Sequence, residues 1–186
     1  MRLQINLLFF LLLYSLTTFG QSNKSNDYWL SFVDTTKNKC GYLNQNGDTV
    51  IRADNYSFCF TDSFKTYAIV ADKTFGFVAI DRKQNILYKV FPFDNGPDYA
   101  ADGLFRIMTN NKIGYADEAT GKVIIKPQFD CAFPFENGVA KVGLNCTTHS
   151  DGEHSYWTSD NWFYIDKKGK KANSPSAKKM TKKNGI

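Results

Sequence analysis

The sequence predicts an all-β fold: a single-domain repeat array of antiparallel three-stranded meanders, β-solenoid or propeller-like in form. Three observations predict it. Aromatic residues are abundant, with 16 Phe, 10 Tyr and 3 Trp in 186 residues. No long stretch has helical periodicity, and Gly and Asn-Gly steps punctuate short runs of alternating polar and apolar residues, which is how half-buried strands read. Finally, one short segment recurs, with Gly41, Gly76 and Gly114 spaced 35 and 38 residues apart, about one supersecondary unit per step.

The elements follow in chain order. Arg2 precedes an apolar run over residues 5–19, and a polar stretch begins at Gln21. A bilayer-spanning helix needs about twenty apolar residues, and this run is shorter. Residues 1–20 therefore read as a signal peptide cut before Gln21, followed by a flexible N-terminus over 21–27. A lipoprotein would need a Cys at the cut, and the first is Cys40. The expected location is exported: periplasmic, outer-surface or secreted.

The repeat domain is expected over residues 28–166. Its copies are 39–73, 74–111 and 112–145, with a partial copy at 161–170. Each opens on an apolar residue (Cys40, Phe75, Ile113, Trp162), then Gly41, Gly76, Gly114 or Phe163, then an aromatic (Tyr42, Phe77, Tyr115, Tyr164). Gly turns follow at Gly47, Gly121 and Gly169. In the third copy Ile113 and Tyr115 share one face, Val123 and Ile125 continue it, and Pro127 marks an edge or an end. Ala140, Val142 and Leu144 then alternate with Val139, Lys141 and Gly143 as a third strand. The segment before Cys40 reads as the same third strand of a degenerate leading copy. One such meander cannot bury its apolar face alone, so the copies must stack.

The third copy carries Gly114-Tyr115, Gly121, Val123-Ile124, Pro127, Phe129-Asp130, Ala132, Phe135, Gly138, Ala140 and Val142. This pattern resembles the bacterial WG-repeat (KWG-repeat) proteins, in degenerate copies whose namesake tryptophan survives only as Trp162. The resemblance implies an all-β repeat array that serves as a structural or binding module, and it supplies no catalytic residue.

The last copy is interrupted by a loop insertion over residues 145–161. It holds both histidines of the chain, His149 and His154, together with Asp151, Glu153, Cys146, Tyr156 and Trp157. Insertions in repeat arrays map to loops and often to the functional face. Tyr156, Trp157 and Trp162 are candidate ligand-binding residues, since flat aromatic faces suit a sugar or a peptide. The bland alternative is a Trp folded back to cover the barrel edge. His149, Asp151, Glu153 and His154 are weak candidates for a metal, because their spacing fits no established ligand motif, and no cofactor is expected.

Cys40, Cys59, Cys131 and Cys146 allow three disulfide connectivities in an exported chain. Local pairing, Cys40 with Cys59 and Cys131 with Cys146, closes the smallest loops. No nucleophile or phosphate-loop motif is present. Asp94, Asp117 and Asp130 lie near strand ends, and Asp94 and Asp130 hold equivalent repeat positions, which suggests turn capping. The formal net charge is +5, yet residues 167–186 hold eight lysines and no acid, so residues 1–166 carry −3. That basic stretch reads as a disordered tail. It lacks the interleaved aromatics of a nucleic-acid site, so no nucleic acid is expected.

The expected function is a non-catalytic, exported binding module for a protein or polysaccharide. A structural envelope protein tethered to anionic surfaces by its lysines is the alternative, and a carboxylate-based hydrolase the third reading.

Overall fold

The computed structural model describes residues 27–152 and 154–175. The expected signal peptide, most of the expected flexible N-terminus, Glu153 and residues 176–186 lie outside the described residues. Within them every regular element is a strand. The first meander is β1 (Trp29–Asp34), β2 (Lys39–Leu43) and β3 (Thr49–Cys59), with a short β4 (Ser63–Phe64) after it. The second is β5 (Ala68–Asp72), β6 (Gly76–Ile80) and β7 (Ile86–Val90). A small excursion, β8 (Pro92–Phe93) with β9 (Gly96–Pro97), leads to β10 (Leu104–Thr109), β11 (Lys112–Asp117) and β12 (Val123–Phe129). The fourth unit is β13 (Cys131–Ala132), β14 (Val139–Leu144), β17 (Asn161–Asp166) and β18 (Lys171–Ala172), with β15 (Thr147–Asp151) and β16 (His154–Thr158) inserted.

Ten strands form one antiparallel sheet in the order β12-β11-β10-β7-β6-β5-β3-β2-β1-β4, and β13-β14-β17-β18 form a second. Hydrogen bonding passes from meander to meander, through β3 with β5 and β7 with β10, rather than stopping at separate blades. Both sheets keep free edges, so the array is open. Pro127 sits on the edge strand β12, where its missing N–H costs no ladder bond.

One turn is copied four times. Asn44 Oδ1 accepts the N–H groups of Asn46 and Asp48, both at 2.9 Å. Asp81 does the same for Lys83 and Asn85, and Asp166 for Lys168 and Lys170. Asp117 caps Thr120 in a turn one residue longer. This side-chain mimicry of a backbone turn is what Asx residues do well. In the second copy Gln84 takes the left-handed position at φ 64° that glycine fills in the first and last.

The turns correct the repeat alignment. Counting back from Asp81, the residues equivalent to Gly41-Tyr42 and Gly114-Tyr115 are Val78-Ala79, so Gly76-Phe77 lies two residues too early. The glycines confirm it. A Cβ on Gly41 would collide with the backbone of Ile51 and Ala53, and one on Gly114 with the backbone of Ile125–Pro127, whereas one on Gly76 would meet nothing within 4 Å. The cause is a bulge. Between Cys40 and Tyr42 the partner strand runs from Tyr56 back to Ile51, and between Ile113 and Tyr115 it runs from Phe129 to Ile125. The surplus residues fold onto the glycine, and only hydrogen fits there. At Val78-Ala79 the pairing with Lys89-Tyr88 keeps step, so a valine is accommodated. Gly76 serves the preceding hairpin instead, at φ 77°.

The core follows the repeat. Tyr42 and Tyr115 are fully buried and donate their hydroxyls to the carbonyls of Thr61 and Phe133 at 3.0 and 2.7 Å. Phe64 and Phe135 meet their rings edge-on. In the second copy Ala79 holds the tyrosine position, and Tyr88 from β7 fills the space, donating to the Gly121 carbonyl. Burial raises the pKa of all three phenols above the ordinary tyrosine range, since an ionised phenolate there would be desolvated.

Residues 167–172, expected as the start of a disordered tail, are ordered. Residues 167–170 form the last Asx turn, and Lys171–Ala172 pairs with Tyr164–Ile165. Lys167 Nζ also donates to the Asp102 carbonyl.

The bulge account predicts that Gly114→Ala lowers stability by on the order of 3 kcal/mol. Gly76→Asn should stay within about 0.5 kcal/mol, because Asn tolerates left-handed backbone. Urea midpoints of the two variants check this, and equal midpoints would contradict the assignment.

Candidate functional site

The expected loop over 145–161 is a β-hairpin. Its register pairs Thr148 with Trp157, His149 with Tyr156 and Asp151 with His154. Period two then separates two faces. Thr148, Ser150, Ser155 and Trp157 share the face toward the body, and His149, Asp151 and Tyr156 share the outer one.

Two links hold the hairpin's base. Cys146 is joined to Cys131 on β13, with Cα atoms 6.0 Å apart. Asp130 accepts the backbone N–H of Asn145 at 2.8 Å and takes an ion pair from Lys112 Nζ at 2.5 Å. The Lys112 hydrogen bond, aided by the Asn145 N–H, holds the Asp130 carboxyl below the usual carboxylate range. The other disulfide joins Cys40 to Cys59 across β2 and β3, at a Cα separation of 5.9 Å.

The three aromatic candidates part company. Trp157 is half-buried and turns inward. It packs edge-on against Phe91, 5.9 Å between centroids, and Phe133, 5.7 Å. Trp162 lies against Phe133 and carries Lys141 Nζ 4.5 Å from its ring centre, so both neighbours claim its faces. Tyr156 alone stands out, 55% exposed, stacked on the His149 ring at 5.1 Å and 20°. His149 Nε2 is 2.8 Å from Thr158 Oγ1, which fixes the ring under the tyrosine. A flat aromatic with one face backed and the other free suits stacking on a sugar ring or a peptide side chain.

The metal candidates are divided as well. Among the described residues no three His, Cys, Asp or Glu side chains gather within ligating reach, His149 is engaged with Tyr156 and Thr158, and Glu153 and the His154 side chain lie outside the described set. The carboxylate candidates are engaged in local structure. Asp117 caps a turn, Asp130 binds Lys112 and Asn145, and Asp94 sits at φ 53° in the β8–β9 turn, 3.4 Å from the Asn95 amide. Asp94 and Asp130 are equivalent in position but not in bonding, because the base of the hairpin occurs only beside Asp130.

Sequence reading missed Arg106 and Asp98. Both are buried, at 3% and 5% exposure. Arg106 Nη2 and Nε reach the two Asp98 oxygens at 2.5 and 3.0 Å, and Nη1 reaches the Ala132 carbonyl at 3.1 Å. The guanidinium lies 4.2 Å from the Phe91 ring centre, and Trp157 packs on Phe91. The inserted hairpin thus roofs the junction between the two sheets. A lone Arg inside an otherwise apolar strand (LFRIM) was the available signal.

Residues 113–145 match the family model of the WG containing repeat. The chain carries a WG repeat. The match spans the third copy, β11 to β14, which has the glycine, the bulge and the buried tyrosine together. The WG repeat ends where the inserted hairpin begins. Among curated proteins none matches the chain.

Two outcomes follow. Trp157→Ala should cost about 2 kcal/mol through the lost Phe91 and Phe133 contacts, while Tyr156→Ala stays within about 0.5 kcal/mol; thermal melts separate them. Because folding lowers the Asp130 pKa, its contribution is present above the ordinary carboxylate range and is lost as pH falls through the folded value. Asp130→Asn should therefore lower the unfolding free energy from urea titration by about 1 kcal/mol at pH 7 and flatten its decline below about pH 4.

Proposed function

We propose that this protein is a non-catalytic, exported binding module whose partner, a protein or a polysaccharide, contacts the outer face of the Thr147–Thr158 hairpin. The observation that carries the reading is the division of labour within the hairpin. Trp157 fastens one face to the repeat array, and the other presents Tyr156 backed by His149. The repeat uses its own recurring chemistry, the buried tyrosines and Asx turns, for folding, and the hairpin is an addition to it. Two disulfides on a body of this size support export, since such bonds persist in oxidising compartments.

A second reading is favoured by charge. Lys168, Lys170 and Lys171 are exposed around the last turn, whose Gly169 lies against Ile125 of the edge strand β12; exposed Lys122 precedes that strand and exposed Lys126 lies on it. This surface would strengthen attachment to anionic lipid or polysaccharide begun by the lysines of residues 178–183.

The hairpin reading is tested on envelope polysaccharide and envelope protein fractions immobilised separately. The double variant His149→Ala, Tyr156→Ala should lose at least tenfold in retention with an unchanged melting temperature. Retention unchanged in that variant, but abolished by raising salt or by truncation after Asp166, would favour the lysine surface instead.

A further inference from the structure

The second meander leaves a groove that neither the repeat nor the hairpin uses. β7 pairs with β10 through only two residue pairs, Val90 with Ile107 and Lys89 with Met108. β10 stops at Thr109, and Asn110 and Asn111, both at positive φ, turn the chain back. β7 continues past that turn to Ile86, so on this side no strand among the described residues pairs with Ile86, Leu87 or Tyr88. The wedge that opens has a volume of about 740 Å³ and is lined by Phe75, Phe77, Leu87, Val90 and Met108, with Asn110 and Asn111 at its mouth.

Its surface is apolar and uncovered. Phe75, Ile86 and Leu87 are each between 44% and 47% exposed. The apolar area runs on, since Phe77 meets Phe60 edge-on at 5.5 Å and Phe60 meets Phe58 at 6.1 Å. Contiguous exposed patches of this kind mark interaction sites. The one charged residue lining the groove is Lys89. No carboxylate lies within ion-pair distance of it among the described residues, and its ammonium rests 5.9 Å from the Phe75 ring centre.

We propose that this groove binds an extended, apolar peptide segment carrying one acidic side chain. The open β7 edge at Ile86–Tyr88 offers backbone groups for strand addition, which provides affinity without regard to sequence. The apolar walls take alternate side chains of the added strand, and Lys89 selects for a carboxylate among them. The Asn110 and Asn111 amides can donate to and accept from the peptide backbone where it leaves the edge. The site is separate from the hairpin face and would operate whether or not that face binds a partner.

The probe is a fluorescein-labelled heptapeptide alternating valine and phenylalanine around one aspartate, with a lysine-substituted twin, titrated into the full chain by fluorescence anisotropy. The aspartate peptide should bind saturably, at least tenfold more tightly than its twin. Lys89→Glu should reverse that preference, and Phe75→Ser with Leu87→Ser should abolish binding of both at unchanged melting temperature. His149→Ala with Tyr156→Ala should bind as the parent does, which separates this site from the hairpin. Absence of saturable binding, indifference to the peptide's charge, or full binding by the Phe75/Leu87 variant would overturn the proposal. So would concentration-dependent dimerisation abolished by the Phe75/Leu87 variant, since a second copy of the chain would then be the occupant.

Discussion

The third and fourth meanders meet around a single buried guanidinium. Arg106 belongs to β10 in the ten-stranded sheet, and it reaches the Ala132 carbonyl in the four-stranded one. Asp98, also buried, supplies the counter-charge and accepts the Arg106 backbone N–H at 2.8 Å. A charge removed from water is tolerated only when its donors are met and its charge balanced. Here the β8–β9 excursion delivers Asp98, β13 delivers the carbonyl, and Phe91 covers the guanidinium under Trp157. The array turns from one sheet into the next at this point, and the turn requires all of these pieces at once.

That requirement explains why the insertion is built as it is. A solvated loop at residues 145–161 would leave Phe91 without its Trp157 cover beside a desolvated ion pair. A hairpin with Trp157 on its inner face closes the site, and the Cys131–Cys146 bond and Asp130 hold its base in place. The outer face is then free to vary without disturbing the fold. Packing falls to one face of the strand, at Trp157, and the recognition proposed above to the other, at its neighbour Tyr156.

Much of the architecture was readable in the sequence because it rests on local rules. Alternation marked the strands, and glycine turns marked the copies. One error came from treating the GY pair as a signature without its cause. The glycine is needed only where the partner strand bulges onto it, as at Gly41 and Gly114. The second copy has no such bulge, so the glycine of TFGF belonged to a different turn. The insertion's hairpin was hidden because its tip is built from polar residues (His, Ser, Asp) whose strand signal is weak. Trp157 and Tyr156 are neighbours in sequence, and only the register shows that they face opposite ways. The Arg106–Asp98 pair depends on contacts between separate strands, and no spacing rule announces it.

The most direct test of the Arg106–Asp98 junction is amide hydrogen exchange, read by mass spectrometry on the parent chain and on Asp98→Ala. If the pair holds the two sheets as one cooperative unit, the strands Val139–Leu144 and Asn161–Asp166 should lose protection on the order of a hundredfold or more in the variant, as expected for an orphaned buried charge. The strands Trp29–Asp34 and Lys39–Leu43 should keep theirs. Unchanged protection at the junction, or an equal loss throughout the chain, would contradict the account.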